Sequence, residues 1–223
     1  RYGTVSCTIN KNLKTKRNQL SVEPDERVWQ ALEKNKQIHG CSFEILKGFL
    51  STKKLNLINL DSWHGGYGAT SVVDEKSKIP SISLAEMEDR LKLKFNVLVA
   101  DCEGFLEQFF QENDYFYDRI RLVIFEEDYV NKCDYTKIRK TLACKGFNEI
   151  LKGHQNVWER EIYPGNYLFN NNEIEILDII RNTDNLECMV LFNYVREPNL
   201  LKVVPMKKML IELGNYCLQR TKT

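Results

Sequence analysis

The stretch NVLVADCEG, residues 96–104, is an apolar run that ends in two carboxylates and a glycine. An apolar run of this length predicts a parallel strand that is buried on both faces. In an open α/β sheet, ligands bind in the crevice beyond the carboxyl ends of such strands. Asp101 and Glu103 are therefore candidate site residues. The alternative is that Asp101 only caps a helix at 105–111.

The charge balance of the chain argues against a nucleic-acid or membrane partner. Its 223 residues carry a net charge of only +1, so no overall field attracts an anionic polymer or membrane surface. No apolar stretch reaches the ~20 residues that a membrane span needs. The first twenty residues are too polar for a signal peptide. We therefore expect neither a membrane span nor a nucleic-acid partner.

Cysteine usage predicts a reducing compartment. The seven cysteines are an odd number without a CxxC pair, and several lie in apolar runs where thiols pack as small hydrophobic groups. We therefore expect neither a zinc site nor a disulfide framework, and we expect a cytoplasmic location.

Strand and helix patterns alternate along most of the chain. Val5, Ile9 and Leu13 recur at helical spacing and favour a helix, although residues 4–9 also alternate as a strand would. The other predicted elements are strands at 20–24, 42–46, 95–100 and 120–125, a weaker edge strand at 55–60, helices after Asp25, at 84–93 with a Ser83–Glu86 capping box and at 135–144, and a hairpin of 147–151 with 156–161. Residues 186–195 fit a helix or a strand. The alternation predicts a doubly wound, mostly parallel α/β sheet with a C-terminal antiparallel hairpin.

Acidic residues end three of these strands. Glu23 ends the first, Asp101 and Glu103 follow the central one, and Glu126 with Glu127 ends the next. An acid at the end of the second strand of a dinucleotide site hydrogen-bonds the ribose hydroxyls. A nucleoside ligand that lies across the strand ends would therefore explain all three groups of acids.

Two segments with glycine are further candidates. Gly3 opens the first helix and would let the backbone approach a ligand closely. The loop 61–71 carries Trp63, His64 and Tyr67 on a glycine framework, and loops of this kind are more often functional than simple linkers. The competing interpretation is that the histidine bonds to the backbone and that both aromatic rings only anchor the loop.

Six groups of residues follow one another in the order of a known family. They are Val22-Glu23-Pro24, Leu32–Asn35, Ser83-Leu84, Asp101-Cys102-Glu103-Gly104, Phe125-Glu126, and the set Tyr135, Leu142, Gly146 and Phe147. In this order they resemble the FkbM-type S-adenosylmethionine-dependent methyltransferases. The resemblance implies a Rossmann-like class I methyltransferase core at 1–160, followed by an extra C-terminal segment at 161–223 that packs on it.

The resemblance also implies an activity, which is methyl transfer from S-adenosylmethionine to a hydroxyl, commonly of a sugar, a glycan or a glycosylated metabolite. The implied donor-binding residues are Tyr2, Gly3 and Thr4 at the methionine end, Glu23 at the ribose, and Gly48 and Phe49 at the adenine. The implied catalytic residues are Asp101 or Glu103 as the base, with His64 as the second choice. On the acceptor side, Trp63 and Tyr67 would stack on a sugar ring and Glu126 would orient a neighbour.

The chain also departs from the family pattern. The first strand and the acidic start of the glycine loop are absent, so we expect one domain of a longer polypeptide or a missing beginning. Val99 stands where the family has a lysine. Leu106 stands where it has a second glutamate, with Glu107 one place late. These differences leave open which acid contacts the substrate.

Other functions also fit the sequence. A non-catalytic nucleoside-binding module could use the same fold, and an RNA methyltransferase is a weaker alternative because no basic stripe is evident. A divalent metal at Asp101, Glu103 and Glu126 is conceivable, but no ligand spacing demands it and none is expected. His39 and His154 are interpreted as structural residues, at a helix end and in a turn.

Overall fold

The computed structural model describes residues 3–58, 69–160 and 188–192. Its strands are β1 (Gln19–Glu23), β2 (Glu44–Lys47), β3 (Phe49–Leu50), β4 (Leu55–Ile58), β5 (Thr70–Val73), β6 (Ser81–Ile82), β7 (Val97–Asp101), β8 (Leu122–Glu126), β9 (Asn148–Leu151), β10 (Gln155–Glu159) and β11 (Cys188–Phe192). Its helices are α1 (Thr4–Asn12), α2 (Glu26–Ile38), α3 (Leu84–Leu91), α4 (Leu106–Glu112), α5 (Phe116–Arg119) and α6 (Tyr135–Cys144).

A seven-stranded mixed sheet organises the molecule, in the order β2-β1-β11-β7-β8-β10-β9. The first five of these strands run parallel, and β10 pairs antiparallel with both β8 and β9. The prediction of a mostly parallel α/β sheet that ends in an antiparallel hairpin is therefore confirmed. This architecture is compatible with a Rossmann-like fold.

One inner strand of the sheet, β11, comes from the end of the described chain. β11 lies between β1 and β7 and runs parallel to both. Because β1 and β7 each pair with β11 and not with each other, β11 joins the two halves of the sheet. Residues 188–192 of the expected C-terminal segment are thus part of the sheet itself. The sequence at 186–195 fitted either a helix or a strand, and the structure has a strand at 188–192.

Two short ladders lie beside the main sheet. β4 pairs antiparallel with β5, so the predicted edge strand at 55–60 belongs, as far as Ile58, to a separate two-stranded ribbon. β3 pairs in parallel with β6, beginning at Phe49 and Ser81. This second ladder is relevant to the predicted donor site because β3 starts directly after Gly48, a predicted donor-binding residue.

The central strand β7 is buried on both faces, as its apolar run predicts. Leu98 and Val99 point to opposite faces of the sheet, and both are fully inaccessible to water. Burial of one such side chain stabilises a fold by roughly 1.5–3 kcal/mol. Asp101 is the last residue of the strand, whereas Phe105 is the N-cap of α4, which has no side-chain capping hydrogen bond. The alternative that Asp101 caps this helix is therefore wrong.

Helix α1 runs antiparallel to β1. The hydroxyl oxygens of Ser6 and Ser21 lie 3.0 Å apart, and the Asn10 amide donates to the Gln19 side-chain oxygen at 3.0 Å. Earlier residues of the helix therefore lie beside later residues of the strand. The N-terminus of α1, at Gly3, consequently lies at the carboxyl end of β1.

The predicted helix starts are confirmed by their caps. Asp25 accepts a hydrogen bond from the backbone N–H of Arg27 at 3.0 Å and begins α2. Ser83 and Glu86 form the reciprocal capping box that begins α3. These local signals fix the helix boundaries and, through them, the loops at the carboxyl edge of the sheet.

Cys7 of α1 and Cys41, just after α2, form a disulfide with Cα atoms 5.7 Å apart. The sequence predicted no disulfide framework and did not foresee this bond, because α1 packs against the end of α2 and brings together residues 34 positions apart. Disulfides are rare in the cytosol, so cysteine usage no longer supports a reducing compartment. Among the described residues, no helix combines the length and apolar character that crossing a bilayer requires.

Candidate functional site

Glu23 and Asp101 end two parallel strands at the same level of the sheet. Val22 pairs with Leu191 of β11, and Leu191 pairs with Ala100, so Glu23 and Asp101 each come one residue later. Two strand spacings separate their backbones, which is roughly 10 Å. Both side chains are buried at this edge, with 1% and 6% of their surface exposed.

The predicted donor-side residues Glu23 and Gly48 are in direct contact. The Gly48 N–H donates to the backbone carbonyl of Glu23 at 3.1 Å, and the Asp25 N–H donates to the Glu23 carboxylate at 2.8 Å. A Cβ at Gly48 would clash with the carbonyl group of Pro80, whose carbon would lie 3.0 Å away. Only glycine fits this close approach of two backbones.

Phe49 contributes packing at this point of the fold. Its side chain is buried in the main core, and its ring centroid lies 6.4 Å from that of Phe105. Its N–H donates to the Pro80 carbonyl at 2.8 Å. The ring is therefore committed to the core beneath the site, and the segment offers a ligand mainly its backbone edge.

Gly3 and Thr4 lie at the start of α1, on the same edge. Gly3 is the N-cap with φ +82°, and a Cβ there would approach the Leu32 side chain to 2.7 Å. This glycine therefore serves both the left-handed turn and close packing of α1 on α2. Thr4, the first helical residue, is exposed.

Four of the predicted site residues, Tyr2, Trp63, His64 and Tyr67, lie outside the described residues. Their predicted roles at the donor, in catalysis and at the acceptor stay predictions.

Three carboxylates converge at the ends of β7 and β8. One oxygen from each of Asp101, Glu103 and Asp128 lies within 4.8 Å of the others. Glu103 and Gly104 both have left-handed backbone, with φ values of 53° and 85°. Their N–H groups donate to the Asp128 carboxylate at 3.1 and 2.9 Å. Successive N–H groups that converge on one anion in this way form a nest.

Asp128 was not among the residues predicted from the sequence, although the neighbouring acids Glu126 and Glu127 were noted at the end of β8. The Tyr135 hydroxyl also donates to Asp128 at 2.9 Å, which fixes its orientation from a third direction. A Cβ at Gly104 would approach the Cβ of Lys132 to 2.9 Å. The turn that carries Glu103 is therefore tightly constrained. The glycine directly after Glu103 marks this turn in the sequence, but it does not show that Asp128 bonds to the turn.

The acids of this cluster disfavour one another's ionisation. Burial, and then the neighbouring Glu126 and Asp128, raise the pKa of Asp101 well above its usual value. Burial and Asp128 raise the pKa of Glu103 to about 9 and that of Glu126 to about 7. Burial also raises the pKa of Asp128. At neutral pH the cluster must therefore hold protons or face a compensating positive charge.

His154 joins the cluster from the hairpin. Its Nε2 lies 2.6 Å from Oε1 of Glu126, and its Nδ1 lies 3.0 Å from the Glu127 carbonyl oxygen. A carbonyl oxygen only accepts, so Nδ1 carries a proton and Nε2 faces the carboxylate. His154 was interpreted as a structural residue in a turn, but it contacts a candidate site residue. The register Gln155↔Glu126 brings the histidine to this place, and the sequence pattern of the hairpin does not give that register.

Two buried carboxylate oxygens of the cluster, Asp101 Oδ1 and Glu126 Oε2, have no hydrogen-bond partner within the described part of the chain. The structure therefore brings together the predicted residues Asp101, Glu103 and Glu126, and separately Glu23 with Gly48. The two groups share one edge of the sheet.

Comparisons of the chain with protein-family models, with curated proteins and with solved structures found no match.

Proposed function

We propose that this protein is a class I, S-adenosylmethionine-dependent O-methyltransferase that acts on a hydroxyl of a sugar, a glycan or a glycosylated metabolite. The observation that carries the proposal is the common level of Glu23 and Asp101 at the carboxyl edge of the parallel sheet. Ligands of open α/β sheets bind across this edge. Glu23, which would bind the ribose, thus lies two strand spacings from Asp101, which would lie beside the reacting group.

The donor would lie along the edge from β2 to β7. Glu23 would accept hydrogen bonds from the ribose hydroxyls, and the backbone at Gly48 would border the adenine. The N-terminus of α1, next to Gly3, carries a partial positive charge that attracts the carboxylate of the methionine part. The methyl group would then face the acids at the end of β7.

The protein has two chemical tasks in this reaction. It must align the acceptor oxygen with the methyl group and sulfur, and such positioning can account for roughly 7–11 kcal/mol of the barrier. It must also accept the proton of a hydroxyl that does not ionise at neutral pH, which requires a general base. The predicted candidates for this base are Asp101 and Glu103.

The geometry supports Glu126 as a further candidate for the base. Its Oε1 contacts Nε2 of His154, whereas its Oε2 has no hydrogen-bond partner among the described residues. When both ring nitrogens of His154 carry a proton, Nε2 would donate to Oε1, and the open oxygen of the ionised Glu126 could accept the hydroxyl proton. His154 is then a positioning residue, because it acts through Glu126.

Donor binding tests the proposal most directly. Isothermal titration of the full chain with S-adenosylhomocysteine should give one site, and Glu23→Gln should weaken it at least tenfold. Glu149→Gln, on the exposed face of β9, is the matched control and should bind as the wild type does. Equal affinity of the wild type and Glu23→Gln would contradict the site. Donor binding without transfer of a labelled methyl group to a panel of sugars and glycans would favour the non-catalytic module.

A further inference from the structure

The cluster at the ends of β7 and β8 concentrates negative charge in a small buried space. Asp101, Glu103 and Glu126 are each at least nine-tenths buried, and Asp128 lies among them. Burying several carboxylates together is costly unless a positive charge or metal compensates them. Within residues 3–58, 69–160 and 188–192, Asp101 Oδ1 and Glu126 Oε2 also have no hydrogen-bond partner, and a donor or a cation could fill these positions.

We propose that Asp101, Glu103 and Asp128 bind a divalent cation of the oxygen-preferring class, such as Mg²⁺, Mn²⁺ or Ca²⁺. Carboxylate oxygens without nitrogen or sulfur ligands are the set that these ions prefer. No acid spacing along the chain predicts this site, because Asp128 reaches it only through the fold. The Glu126 carboxylate lies beside the three ligands and can hold a metal-bound water.

The separation of the three ligand oxygens fits such an ion. Two oxygens that share an ion at about 2.4 Å, as for Ca²⁺, lie at most about 4.8 Å apart, and at about 2.1 Å, as for Mg²⁺, at most about 4.2 Å. The oxygens of Asp101, Glu103 and Asp128 lie within 4.8 Å of one another. Three oxygens with this spacing surround a point that lies at most about 2.8 Å from each of them, so a Ca²⁺ ion would need each ligand to move inward by at most about 0.4 Å, and Mg²⁺ by at most about 0.7 Å.

The surroundings of Asp128 resemble the outer contacts of a metal ligand. Its two oxygens accept hydrogen bonds from two backbone N–H groups and from the Tyr135 hydroxyl. A carboxylate offers about four lone-pair positions, so one remains for an ion. Such hydrogen bonds orient ligating carboxylates and keep them ready to bind.

The role of the ion in the reaction rests on the proposed function. An ion at this edge would bind the acceptor hydroxyl and lower its pKa, which makes the proton easier to remove. Asp101 and Glu103 would then serve as ligands of the ion, and Glu126 would be the base that accepts the proton. The existence of the site does not need a donor or an acceptor, so it can be tested alone.

The test is Mn²⁺ binding by the full chain after treatment with a chelator, followed by electron paramagnetic resonance of the free ion. We expect one Mn²⁺ per chain, displaced by Mg²⁺ or Ca²⁺. Asp101→Asn should weaken binding at least tenfold and leave the Asp128 nest intact. Asp89→Asn, on the exposed face of α3, is the matched control and should bind within twofold of the wild type.

Thermal melting gives a second measurement. Mn²⁺ at a concentration that saturates the wild type should raise the Tm of the wild type and of Asp89→Asn equally, and that of Asp101→Asn by less. No binding up to about 1 mM, the weak end of protein calcium sites, or equal binding by Asp101→Asn, would overturn the cation site. Neither result concerns donor affinity. A failure to bind S-adenosylhomocysteine would instead overturn the proposed function and leave the cation site standing.

Discussion

Nε2 of His154, in the turn between β9 and β10, lies 2.6 Å from Oε1 of Glu126 at the end of β8. Because Nδ1 of the same ring is held by the Glu127 carbonyl, the imidazole has one orientation toward Glu126. This contact links the antiparallel hairpin to the carboxyl edge of the parallel strands. It gives the hairpin a place in the candidate site as well as in the sheet.

Replacing His154 by asparagine should therefore affect turnover and not donor binding. In His154→Asn we expect kcat for methyl transfer to fall by about 10²-fold or more, because Glu126 loses the partner that orients it. The KM for the donor should stay within about threefold of the wild type, since the hairpin lies at the far side of β8 from Glu23. Steady-state kinetics with an acceptor from the sugar panel measures both constants.

His39→Asn provides the matched control for that experiment. His39 is exposed at the end of α2 and should leave both constants unchanged. If kcat and KM change together in the His154 variant, or if kcat does not change, then His154 does not position the base.

The disulfide between Cys7 and Cys41 should stabilise the fold. In Cys41→Ser we expect the free energy of unfolding to fall by about 2–4 kcal/mol, because the unfolded chain loses a crosslink. Denaturant melts of oxidised protein measure this change, and a reducing agent should give the wild type the same loss. Cys144→Ser, at an exposed and unpaired position, should change stability by no more than about 0.5 kcal/mol. Equal stability of oxidised wild type and Cys41→Ser would contradict the prediction.

The remaining described thiols should differ sharply in reactivity. Burial raises the pKa of Cys133 to about 12, so at pH 8 it stays a thiol and does not form the reactive thiolate. Cys102 is also buried, whereas Cys144 is exposed at the end of α6. Iodoacetamide at pH 8, followed by peptide mass spectrometry, should therefore label Cys144 and spare the other two. Labelling of native Cys133 as fast as Cys144 would show that this part of the core opens readily.

Local sequence patterns predicted the elements of the fold well. The helix at 135–144 is found with the same bounds, because Tyr135, Ile138 and Leu142 share its buried face. The position of β11 between β1 and β7 could not be predicted in this way. Strand order depends on contacts between distant segments, and the short apolar run at 186–195 suits either a helix or a strand.

Only the part of the site at the carboxyl ends of the parallel strands could be predicted from the sequence. Parallel strands present their carboxyl ends at one edge, so Glu23 and Asp101 could be expected together. Asp128 and His154 could not, because one is drawn in by the left-handed turn at Glu103 and the other by hairpin register. Side-chain convergence of this kind follows from tertiary geometry and leaves no periodic pattern in the chain.

Gly48 provides a test of the backbone contact beneath the predicted adenine position. In Gly48→Ala the new methyl group would meet the Pro80 carbonyl, and the backbone cannot yield without breaking the bonds that Gly48 makes to Glu23 and that Phe49 makes to Pro80. We expect a loss of about 1–3 kcal/mol in the free energy of unfolding, as for other overpacked sites. Gly153→Ala is the matched control, because its nearest contact, at 3.7 Å, is of ordinary van der Waals length. Denaturant melts of both variants measure the difference, and equal stability would mean that the two backbones are not held as closely as the structure shows.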